Sequence, residues 1–100
     1  MKSINLLYIY AVDIYVSSTY AENMTHGKNL AKNFGTNLRK IRDARNLSQE
    51  QLAELCGVHR TFIGRIERGE TNITLLTLFK VAKALEVSPE LLIRGIDEGN

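Results

Sequence analysis

The sequence holds one cysteine, one proline and no tryptophan among its 100 residues. A lone Cys56 excludes an intrachain disulfide framework and any zinc site built on cysteines. It is compatible with a reducing compartment without demonstrating one. His26 and His59 stand far apart in the chain, so no metal constellation is evident, and neither a metal nor a cofactor is expected. An activated nucleophile and a phosphate-cradling glycine loop are also missing, which argues against an enzyme. No apolar run reaches the ~18 residues of a membrane span, so no membrane partner is expected. Lys2 and the apolar stretch from Leu6 to Val12 have the outline of a secretion signal. Asp13 cuts that stretch short, and the expected location is the cytoplasm. Charge of one sign is not in excess either. Thirteen basic residues oppose eleven acidic ones, a net charge of +2. That balance neither demands nor excludes nucleic acid, so the arrangement of the charges has to decide.

What is present is an ordinary globular balance, 44% hydrophobic and 24% charged, enough for one small domain. The chain divides near residue 33. Residues 1–33 read as an N-terminal arm or extension. Within it, residues 4–16 suit a strand or a short helix, and Ser17 to Asn33 is polar and reads as a linker. Met24 opens a shorter product. Disorder is the bland reading of such an arm; a dimer-swapping strand or a partner-binding segment is the alternative. Residues 34–95 read as a compact all-α unit of five short helices, and residues 96–100 as a tail.

The helical signals are specific. Phe34, Leu38 and Ile41 share one face of a first helix ending near Asn46. Ser48 and Gln51 form a capping box for a second helix, with Leu47 and Leu52 at hydrophobic-staple positions. Leu52, Ala53 and Cys56 give that helix an inner face, so Cys56 reads as a packed small hydrophobe rather than a redox switch. Gly57 suits a left-handed stop. A third helix runs from about Arg60 to Arg68 and stops at Gly69. Thr74 caps a fourth, with Leu75, Leu78, Val81, Ala82 and Leu85 as its core stripe. Ser88 and Pro89 open a fifth helix that ends at Gly95.

The second and third helices are joined by a short connection at Gly57, the geometry of a helix-turn-helix, whose second helix enters the DNA major groove. At about 100° per residue from Arg60, Gly64 falls at about 40°, Arg68 at about 80°, Thr61 at about 100° and Arg65 at about 140°. Phe62, Ile66 and Ile63 fall at about 200° to 300°, on a separate apolar arc. On an isolated helix the basic arc would be an ordinary solvated face. The capped helix before it and the glycine turn shift the reading to double-stranded DNA. Arg can hydrogen-bond guanine bidentately, and Thr can offer thymine a hydroxyl or a methyl. Gly64, without a side chain, would let the helix lie close against the duplex.

Three stretches carry a resemblance: Leu38-Arg-Lys-Ile-Arg42, Leu47-Ser-Gln-Glu-Gln-Leu-Ala53 and Gly57 through Glu70. Together they resemble the Cro/phage-repressor (Xre) type of helix-turn-helix regulator. The segment from His59 to Glu70 and the tail from Asn72 to Leu85 are most similar to controller proteins of restriction–modification systems. The resemblance implies a sequence-specific transcriptional regulator that blocks or recruits RNA polymerase. By the same resemblance, Gln49 binds a DNA phosphate, and His59, Arg60, Thr61 and Arg65 read bases or adjoining phosphates. Arg68 joins them from its place on the arc. Asn72 and Thr74 touch the DNA backbone, and Arg42 pairs with Glu67 as a structural brace. His59 departs from the commoner Thr or Ser, leaving base contact, phosphate contact and cap open as its role. Glu86 stands where the family often has Gly, so the fourth helix is expected to end differently.

A unit of this size reads few base pairs, and pairing lets two copies read half-sites about one helical turn apart. Leu92, Ile93 and Ile96 are the expected homodimer contacts, with packing inside the monomer as the alternative. The rival reading of the whole is an antitoxin-like regulator whose N-terminal arm binds a partner protein.

Overall fold

The computed structural model describes residues 27–98, and the readings made for residues 1–26 lie outside them. Five α-helices follow one another: α1 (Gly27–Ala44), α2 (Gln49–Cys56), α3 (Arg60–Glu67), α4 (Leu75–Leu85) and α5 (Pro89–Ile93), with no strand among the described residues. Helix α1 packs on α3 and α5, α2 on α3 and α4, and α4 on α5. Their shared core holds Phe34 and Leu38 from α1, Leu52, Ala53 and Cys56 from α2, and Ile63 and Ile66 from α3. Leu78, Val81, Ala82 and Leu85 from α4 and Leu92 from α5 complete it.

Helix α1 begins at Gly27, inside the stretch expected to be a linker. Asn29 and Asn33 are poor helix formers, and tertiary contacts supply what propensity withholds. Asn33 Nδ2 donates to the Ile96 carbonyl at 2.9 Å, and one turn later Asn37 Nδ2 donates to the Leu92 and Arg94 carbonyls at 2.9 and 3.0 Å. These amides fasten α1 to the otherwise open carbonyls at the end of α5. At Gly35, an added Cβ would overlap the Ile66 and Glu67 carbonyl oxygens, so the missing side chain sets how closely α1 and α3 approach.

Helix ends repeat one device. After α1 to α4 a residue takes the left-handed conformation: Asn46, Gly57, Gly69 and Glu86, with φ of 58°, 72°, 73° and 59°. In each case the following amide reaches back to the last turn, as Leu47 N does to Arg42 O and Val58 N to Ala53 O, the Schellman arrangement. Helix α4 therefore ends as a Gly-capped helix would, with Glu86 in the glycine's conformation. The expected difference in its ending is corrected by the backbone itself.

The fifth helix brings a second correction. Leu92 is completely buried in the monomer's own core, beneath α1 and α4, and offers nothing to a partner. Ile93 is 42% exposed, while Ile96 is partly buried against the same core. A helix of this length has one inward position to fill, and Leu92 fills it.

Candidate nucleic-acid interface

Helix α3 is anchored from its apolar side. Ile63 and Ile66 are buried and Phe62 is partly so, which leaves Arg60, Thr61 and Arg65 on the outer face, all exposed. The start of the helix is fixed by His59, whose Nδ1 accepts from the Thr61 amide at 3.1 Å. The imidazole therefore serves as a cap in this structure. Helix α2 holds the other side of the turn: Ser48 Oγ accepts from the Gln51 amide at 3.0 Å, and Gln51 Oε1 accepts from the Ser48 amide at 2.8 Å. Gly57 supplies the left-handed bend between them.

Beneath the outer face lies a buried ion pair. Arg42 Nε donates to Glu67 Oε2 at 2.6 Å and Nη2 to Oε1 at 3.1 Å, while Nη1 donates to the Leu47 carbonyl at 2.7 Å. The two side chains are 9% and 3% exposed. The hydrogen bonds to Glu67 push the Arg42 pKa further up, against the opposing effect of burial. Gln49 Nε2 also donates to Glu67 Oε1, at 2.9 Å. One carboxylate thus ties α1, the first turn of α2 and the end of α3 together. Gln49, expected at a phosphate, remains exposed with its amide hydrogen-bonded to Glu67.

Arg68 is not free. Its Nε donates to Glu70 Oε2 at 2.8 Å and its Nη2 to Oε1 at 3.1 Å. These bonds hold the Glu70 carboxyl below its ordinary range, with Arg65 contributing from nearby, and raise the Arg68 guanidinium pKa. Gly64 also differs from expectation: it is buried. An added Cβ would lie 3.1 Å from Arg68 Nη1 and 3.7 Å from Gln49 Oε1, so these two side chains occupy the space expected to admit the duplex. Glu70 was not among the expected site residues. Its signal was opposite charge on both sides of Gly69, where a left-handed turn folds the chain back.

Asn72 and Thr74 are exposed beyond α3, and Thr74 Oγ1 caps α4 by accepting from the Thr77 amide at 3.1 Å. Asn72 lines a groove of about 680 Å³ between the first turns of α1 and this loop, together with Lys32, Arg68 and Glu70. Burial raises the Cys56 thiol pKa above its ordinary value. Among the described residues no group of His, Cys, Asp or Glu could hold a metal, and no helix is long and apolar enough to cross a membrane.

Comparison with known proteins places this geometry. The helix-turn-helix family HTH_3 matches residues 38–92. Control protein C.SmaI of Serratia marcescens is 59% identical over 59 residues, covering 58% of this chain and 70% of that protein. Control protein C.BamHI of Bacillus amyloliquefaciens is 46% identical over 68 residues, covering 67% and 84%. The crystal structure of the restriction–modification controller protein C.AhdI from Aeromonas hydrophila superposes with a TM-score of 0.60 at 46% identity, covering 63% of this chain and 94% of that one. The chain belongs to the HTH_3, Xre-type helix-turn-helix family of transcriptional regulators.

Proposed function

We propose that this chain binds double-stranded DNA sequence-specifically as a homodimer on a symmetric operator, and that it controls a restriction–modification operon. The observation that carries the reading is the outer face of α3, where Arg60, Thr61 and Arg65 stand exposed while Phe62, Ile63 and Ile66 anchor the helix from behind. The similarity to the control proteins C.SmaI and C.BamHI and to the restriction–modification controller protein C.AhdI supports the operon. In this reading Arg60 and Arg65 read base edges, each worth on the order of 1–3 kcal/mol of discrimination. Gln49, Asn72 and Thr74 touch phosphates, and His59 caps α3. Arg42 and Glu67 hold the helices in register, and the protein works in the cytoplasm without a catalytic step. Bound at its operator, it acts on RNA polymerase by blocking or recruiting it.

Exposed apolar side chains support the pairing. Leu75, expected in the core stripe, is instead 74% exposed, beside Leu76 and Phe79 at 66% and 57% on α4. In this reading these side chains, with the exposed Ile93, are available to a second copy. Selection of bound duplexes from a random pool tests the reading. The expected product is a pair of inverted half-sites about one helical turn apart. A pool from which the chain enriches no sequence would contradict it.

A further inference from the structure

The Arg68–Glu70 pair straddles the Gly69 turn just past the end of α3, with the Arg68 guanidinium reaching back over Gly64. We propose that Glu70 is a positioning residue for DNA reading: it holds the Arg68 guanidinium over Gly64, so that Arg68 reads a base edge instead of roaming among phosphates. This rests on the DNA-binding reading above.

Three features carry it. The first is the way the guanidinium is used. Glu70 takes the edge formed by Nε and Nη2. The end-on fork, Nη1 with the remaining N–H of Nη2, has no hydrogen-bond partner among the described residues. Two parallel N–H groups of that kind match guanine O6 and N7. The second is Gly64, buried beneath the Arg68 and Gln49 side chains and without a side chain of its own. Arg68 Nη1 would stand 3.1 Å from a Cβ there, closer than ordinary contact, so the bare backbone makes room for the guanidinium. The third is charge. Arg68 and Glu70 side chains are 58% and 51% exposed, and as a closed pair they are neutral together. A neutral pair displaces few counterions from DNA, so its contribution is geometric rather than salt-dependent. An arginine already ordered by a two-point pair also loses less side-chain entropy on binding than a free one.

The test is random-pool selection and salt titration with the full chain, comparing wild type, Glu70→Gln and Arg68→Ala. Wild type is expected to prefer guanine at one half-site position, by about 5- to 150-fold. Both variants are expected to accept any base there and to keep the rest of the half-site. Glu70→Gln frees a positive charge, so its plot of log affinity against log salt is expected to steepen by about 0.9, with tighter binding to unrelated DNA. Arg68→Ala removes a positive charge and leaves the Glu70 carboxylate unpaired, so its plot is expected to become shallower rather than steeper. If Glu70→Gln keeps the wild-type preference at every position, Glu70 does not position a reading arginine. If Glu70→Gln instead weakens binding to all sequences and lowers the melting temperature, Glu70 is only a structural brace and the proposal is overturned. A wild-type chain that enriches no sequence removes the DNA reading and this inference with it. Enrichment by wild type with unchanged variants removes the inference alone.

Discussion

Glu67 is a carboxylate 3% exposed at its side chain, and Arg42 supplies two of the three hydrogen bonds on it. Truncating the arginine would leave a buried negative charge facing only the Gln49 amide, and breaking a buried pair in this way costs about 3–5 kcal/mol. Arg42→Ala is therefore expected to lose that much stability in urea unfolding, a large part of what a small domain has. The double replacement Arg42→Met with Glu67→Met is expected to recover most of it, because two apolar side chains leave no charge unpaired. A loss below about 1 kcal/mol for Arg42→Ala would show that water solvates Glu67 and that the pair braces nothing. At this scale the sequence was only partly legible. Spacing on α3 separated Arg60, Thr61 and Arg65 from Phe62, Ile63 and Ile66, and the structure leaves the first set exposed. Spacing could not show that the Arg68 side chain doubles back over Gly64, because that depends on Glu70 beyond the turn.

At the scale of elements, the caps were the readable part. Ser48 with Gln51, and Gly57, act through local geometry that residue type fixes, and α2 begins and ends where they stand. The start of α1 was not readable, because Gly27, Asn29 and Asn33 argue against a helix. Contacts with the end of α5, distant in sequence, hold it in place. Helix α5 is too short for periodicity to choose its inward residue, hence the misplacement of Leu92. Glu86 is the element-scale test. It holds φ 59°, where a side chain costs about 1–2 kcal/mol. Its contact with Arg45 is 3.8 Å between exposed groups and contributes little. Glycine loses more entropy on folding, which offsets part of the relief. Glu86→Gly is expected to stabilise the fold by about 0.5–1 kcal/mol, raising the melting temperature by a few degrees. A lowered melting temperature would contradict the claim that the strain resides at this residue.

For the whole molecule, the core, the caps and the Arg42–Glu67 pair serve one end: they hold α3 as a rigid rod with its basic side outward. The exposed apolar face of α4 lies outside the core built by the described residues, and the proposed reading assigns it to a second copy. The central claim is that the outer face of α3 reads sequence. It is tested most directly by titrating wild type and Arg65→Ala against a selected duplex and against a scrambled one of equal length and salt. The account predicts that Arg65→Ala loses about 5- to 150-fold on the selected duplex and far less on the scrambled one. Equal losses on both would mean that Arg65 holds phosphate only, and would contradict base reading by this helix.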